Sequence, residues 1–210
     1  MSRRSISAFT KLDGTILIFA IGLIVLFLLA GSGIGRRQRP GSSVACTRHL
    51  KQVVLAFSLW QADRNLTNLP WEVAAPIGTA PDAKSSDVFR HFAAISNECQ
   101  NFRMLICPAD KARKPTRSWA ALRNHNISYF INVTPSLDVQ SVLAGDRNVS
   151  TNGSLLTGYN VIPTTDELRW SRSIHEHGGN VGMMDGSVHQ TTTRHLRQCF
   201  TNAPAYLAIP

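Results

Sequence analysis

Residues 174–190 read IHEHGGNVGMMDGSVHQ and place three histidines, an aspartate and a serine close together. Imidazole and carboxylate groups are the donors that zinc and other borderline metals take, so His175, His177, Asp185 and His189 form one candidate ligand set. On a strand, His175 and His177 share a face. Asp185, however, falls at a turn, His189 lies on the returning segment, and no HExxH pair is present. Ser187 has histidines nearby but lacks the strained GxSxG elbow of an activated serine. The competing reading is architectural. Gly178-Gly179 opens a hairpin and Asp185-Gly186 closes it, because a two-residue type I′ turn needs positive φ at both central positions. The histidines then bond to neighbouring loops, and no catalytic residue is assigned. Between these stands a structural calcium held by Asp185, Asp146 and backbone carbonyls. The stretch Gly145-Asp146-Arg147-Asn148 is either part of such a ligand loop or a place where Asp146 pairs with Arg147 or caps a turn.

Cys46, Cys99, Cys107 and Cys199 make an even set in a chain that is expected to leave the cytoplasm. One or two disulfides are expected, with three full pairings open. No CxxC pair or Cys/His finger spacing exists, which points away from structural zinc.

The elements that must position these residues begin with an uncharged apolar run from Gly14 to Gly35. Its length matches the ~20 residues that cross ~30 Å of hydrocarbon, and it has no polar stripe, so a transmembrane helix is expected over 9–35. A cleaved secretory signal is the alternative, although its apolar part is usually only ~7–15 residues long. Residues 36–42, basic and then Pro-Gly-Ser, read as a linker. Val44, Leu50, Val53, Val54, Phe57 and Trp60 recur at helical spacing, predicting an amphipathic helix over 43–62 with Ser43 as its N-cap. A short helix follows near 88–95, and strands dominate from about 125 to 195. The expected fold class is α+β: the N-terminal transmembrane helix leads into a domain spanning 43–210, in which the amphipathic helix packs on a small, mainly antiparallel sheet.

The net charge of +9 suits anionic partners. The basic residues are scattered, though, and lack interleaved aromatics, so no specific nucleic acid is expected. Arg36, Arg37 and Arg39 read as anchors to lipid headgroups. Charge on the two sides of the apolar run is balanced and sets no orientation.

Several stretches together resemble one family. MSRRSISA followed by FTKLD looks like a type IV prepilin leader. ACTRHLKQVVLAFSLWQADRN, LICPAD, ISYFINV, SVLAGDRNVSTNG and the closing LAIP resemble stretches of bacterial pseudopilin-like proteins of the H-X9-DG class. His175, nine residues and then Asp185-Gly186 fit the motif that gives the class its name, with Gly179 and Asn180 inside it. The resemblance implies prepilin peptidase cutting between Ala8 and Phe9 and methylating Phe9. It also implies an extracytoplasmic (periplasmic) pilin-like domain on a single-pass inner-membrane anchor. Other pseudopilins, or copies of the same chain in a filament, are the implied partners, with Asp13 as the assembly carboxylate. Ala8 stands where the family usually has Gly, and Asp13 where Glu is usual. The implied role is structural, in a type II secretion or type IV pilus-like assembly. Two alternatives remain open: a membrane-anchored metal-dependent hydrolase using the His175/Asp185 region, and a basic module that binds DNA or anionic polysaccharide.

Overall fold

The computed structural model describes residues 11–31, 40–134, 137–163, 167–200 and 204–210. The chain divides into two units, with helix α1 (Lys11–Gly31) in the first and everything from Pro40 in the second.

Among the described residues no helix is long and apolar enough to cross a membrane. This corrects the expectation of a transmembrane helix over 9–35 within the fold class. The single-pass inner-membrane placement and the membrane-pseudopilin description are corrected with it. Ala8 and Phe9 lie outside the described residues. Asp13 is within α1, but its side chain is outside them.

The second unit is α+β, with a six-stranded antiparallel sheet and a three-stranded sheet. Helix α2 runs from Pro40 to Asp63, so positions 40–42, expected as linker, are helical. Proline suits the start of a helix, where its missing N–H has no partner to lose. Ser43, expected as the N-cap, lies inside the helix. Cys46, Leu50, Val53, Val54, Phe57 and Trp60 of α2 are buried, whereas Val44, read as part of the same stripe, is 62% exposed. Each fully buried side chain of this size contributes about 1.5–3 kcal/mol, so the stripe fixes α2 on the sheet.

The large sheet is built from β1 (Tyr129–Asn132), β2 (Val142–Asp146), β5 (Gly158–Ile162), β7 (Gly178–Met183), β8 (Val188–Thr192) and β9 (Ala205–Ile209), in the order β5-β9-β1-β2-β7-β8. The small sheet is β4 (Ser154–Leu155), β3 (Val149–Thr151) and β6 (Arg169–Trp170). Helix α3 (Phe89–Ala94) and helix α4 (Thr193–Gln198) complete the unit. Strand β1 is buried at all four positions. Its alternation sends Tyr129 and Ile131 into the core under α2, and Phe130 into a second core with Trp170, Leu196 and Leu207. The central strands are therefore covered on both faces. Their inward polar groups need protein partners, and this requirement produces the site.

Candidate functional site

Cys46, on the buried face of α2, is bonded to Cys107, which follows a short 3-10 turn at Phe102–Leu105. The sequence left the pairing open; the structure joins these two cysteines and leaves Cys99 and Cys199 free. Burial pushes the Cys99 thiol up to about 12 and raises that of Cys199, so neither is a ready nucleophile.

His175 lies against this disulfide. Its Nε2 is 3.3 Å from Cys107 Sγ, 3.2 Å from Asn180 Nδ2 and 3.3 Å from Asp146 Oδ2. The ring is held there by a tight turn: His175 and Gly178 form a bridge, and the Gly178 N–H donates to the His175 carbonyl at 3.0 Å. Between them Glu176 and His177 both take positive φ, 47° and 70°, the pattern of a type I′ turn on two non-glycine residues. His177 is exposed and accepts a hydrogen bond from Arg172 Nε.

The Gly145–Asn148 stretch is a hub rather than an exposed loop. Asp146 ends β2 fully buried, and its Oδ2 accepts both the Asn180 backbone N–H at 2.6 Å and Asn180 Nδ2 at 2.8 Å. Arg147 turns the other way: its Nε and Nη2 donate to Asp110 Oδ2 at 2.7 Å and Oδ1 at 2.9 Å, a bidentate pair. Ser128 Oγ adds a third bond to Asp110 at 2.9 Å. Asn148 Nδ2 donates to the carbonyls of Ser171 and Gly178, each at 3.0 Å. Three consecutive side chains thus tie β7, the Cys107 loop and the His175 turn to one strand end. Nothing in the sequence pattern paired Asp110 with Arg147. Tyr129 stands across from Asp146 in the sheet, and burial pushes its phenol well above the ordinary value. Asp146 Oδ1, His175 Nδ1 and Tyr129 Oη are buried without a hydrogen-bond partner.

Asp185 and Gly186 do form the β7–β8 connection, but not as a type I′ turn. Gly186 alone is at positive φ (84°), and its N–H donates to the Met183 carbonyl at 3.0 Å. This is a three-residue loop with glycine at the left-handed position. Asp185 Oδ1 accepts the Ser187 N–H at 2.8 Å, and hydrogen bonds from Ser187 hold the carboxyl below the usual carboxylate range. Ser187 Oγ meets His189 Nε2 at 2.8 Å on the exposed side. Asp185, Ser187, His189 and His195 line an open groove of about 800 Å³ that His175 does not reach.

His175 and Asp185 therefore sit beyond opposite ends of β7, separated by roughly 20 Å of extended chain at ~3.3 Å per residue. One metal ion cannot take both, nor both Asp146 and Asp185, since Asp146 belongs to the His175 end. Gly179 faces a different constraint. A Cβ there would stand 2.7 Å from three carbons of the Trp170 ring, so only glycine lets Trp170 close over β7.

Lys111 Nζ and Arg113 Nη2 donate to the carbonyls of Pro108 and Pro210, at 2.8 Å and 2.7 Å. Comparison of the chain with protein-family models, curated proteins and solved structures finds no match.

Proposed function

We propose that this chain is a non-catalytic, pseudopilin-like structural subunit or accessory of a type II secretion or type IV pilus-like assembly. One observation carries the reading. The residues behind the sequence resemblance form two adjoining, mostly buried polar groups, Cys107–His175–Asp146–Asn180 and Asp110–Arg147. A group of this kind orients strands and loops; it does not present a nucleophile or base to a substrate, which catalysis would need within hydrogen-bond reach of the reacting atoms. The opposite separation, His175 from Asp185, removes the geometric basis for a hydrolase at that motif.

On this reading, prepilin peptidase cuts between Ala8 and Phe9 and methylates Phe9. The processed chain then joins other pseudopilins or copies of itself, with Asp13 as the carboxylate that meets a neighbour's amine. The test is intact-mass and N-terminal peptide analysis of the protein from its native host. A chain beginning at N-methylated Phe9 supports the assembly role; a chain beginning at Met1 or Ser2 sinks it.

A further inference from the structure

We propose that, once the Cys46–Cys107 bond is reduced, the chain binds one zinc ion through Cys46 Sγ, Cys107 Sγ, His175 Nε2 and Asp146 Oδ2. The proposal does not depend on the assembly role. It rests on three buried donors from separate parts of the chain that converge, and on a buried carboxylate beside one of them.

The donor atoms of Cys46, Cys107 and His175 all lie within 4.8 Å of one another, and all three residues are buried. Around tetrahedral zinc, bonds of ~2.3 Å to sulfur and ~2.0–2.1 Å to nitrogen or oxygen put neighbouring donors about 3.3–3.8 Å apart. Two of those edges are already in place: His175 Nε2 is 3.3 Å from Cys107 Sγ and 3.3 Å from Asp146 Oδ2. The two sulfurs must part, and Asp146 Oδ2, which stands beside His175 but outside the Cys46–Cys107–His175 cluster, must close on the sulfurs. The carboxylate is already oriented, because Asn180 grips Asp146 Oδ2 from both its backbone and its side chain. Such outer contacts fix a ligand before the metal arrives. Asp146 Oδ1, buried and unpartnered, leaves the carboxylate acceptor capacity to spare. Two thiolates, an imidazole and a carboxylate are a donor set that zinc accepts, and four protein donors leave no open position, so the site is structural.

The chemistry balances with a phosphine as reductant. The phosphine gives two electrons to the S–S bond and leaves as its oxide, taking oxygen from water, and the two protons of that water go to the sulfurs. Zinc binding then displaces those two thiol protons to solvent, since thiolate is the ligand. Disulfide and zinc are thus alternative staples between the start of α2 and the loop at Cys107. The zinc form adds β2 and the turn before β7 to the same tie.

The experiment uses the full-length chain, reduced with a phosphine, desalted without oxygen and titrated with Co²⁺ and then Zn²⁺. One Co²⁺ per chain is expected, with thiolate-to-cobalt charge-transfer absorption and the strong visible bands of a tetrahedral ion, both lost when one equivalent of Zn²⁺ displaces it. The oxidised chain is expected to show neither. His175→Ala and Asp146→Asn should each weaken binding by ~100-fold or more, since changes even in outer-shell partners cost 10–100-fold. Cys199→Ser should bind as the native chain does. The cobalt spectrum of the native reduced chain needs no variant to fold. The proposal is overturned if that chain takes up no metal or shows no thiolate charge transfer. Equal binding by the oxidised chain, or native affinity in His175→Ala, overturns it as well.

Discussion

Asn180 reaches Asp146 twice, by its backbone N–H at 2.6 Å and its side-chain amide at 2.8 Å, and both bonds end on the same oxygen. The pair locks β7 to the end of β2 where neither residue meets solvent. Hydrogen bonds to a charged acceptor in such a place contribute about 1.5–3 kcal/mol, and stranding the partner costs more. Asn180→Ala, which keeps the backbone bond, is expected to lower stability by about 2 kcal/mol. Asp146→Ala, which orphans both donors, should lower it by about 3 kcal/mol or more. The double variant should lose less than the two combined, because they share one interaction. Urea unfolding of the four chains measures this, and simple additivity would refute the coupling.

Arg147 and Asp110 make a different kind of contact, a planar fork on a carboxylate that is fully shielded. Lysine offers a point charge in place of two parallel donors. Arg147→Lys is therefore expected to cost about 1–3 kcal/mol even though the charge is kept. A change of less than ~0.5 kcal/mol in the unfolding free energy would show that charge alone does the work.

The elements that were legible are those whose signals are local. The three- and four-residue spacing of Leu50, Val53, Val54, Phe57 and Trp60 marks α2, and Asp185-Gly186 marks a chain reversal, because helical burial and left-handed glycine leave their mark within a few residues. Val44 reads as part of the same stripe, yet it is 62% exposed. The type I′ turn left no such mark. Glu176-His177 contains none of the Gly, Asn or Asp residues that mark a type I′ turn in sequence, and tertiary contacts from Cys107, Asp146 and Asn180 to His175 hold the turn in place. The disulfide was visible only as a set of pairings. Cys46 and Cys107 are 61 residues apart, and no local pattern encodes which distant cysteine arrives. The absence of finger spacing pointed away from zinc for the same reason, since the candidate ligands come from four distant segments.

That separation sets the third expectation. Closing a loop of 61 residues restricts the unfolded chain by about 4 kcal/mol at room temperature in the chain-entropy account. Cys46→Ala/Cys107→Ala should lower the unfolding free energy by roughly that amount, within a range of about 2–5 kcal/mol. Cys199→Ala, at a half-buried free thiol, should cost far less. Equal losses in the two chains would mean that packing rather than the cross-link is what matters.

His91 makes stability depend on pH. It is fully buried, its Nδ1 meets Thr79 Oγ1 at 2.7 Å, and Trp71 packs against it edge-on. Burial lowers its pKa from 6.5 to about 4, against a weaker upward pull from Asp82. Below pH 6.5 the unfolded chain takes up a proton that the folded chain refuses until about pH 4. The contribution of His91 to stability is therefore complete above 6.5 and falls as pH drops through that window, by about 3 kcal/mol in all. Unfolding free energies of the native chain and of His91→Phe, taken between pH 7.5 and pH 4, should differ in slope across that window and run parallel above it. Parallel curves throughout would mean that the folded chain protonates His91 as readily as the unfolded one, and that the buried ring is not kept neutral.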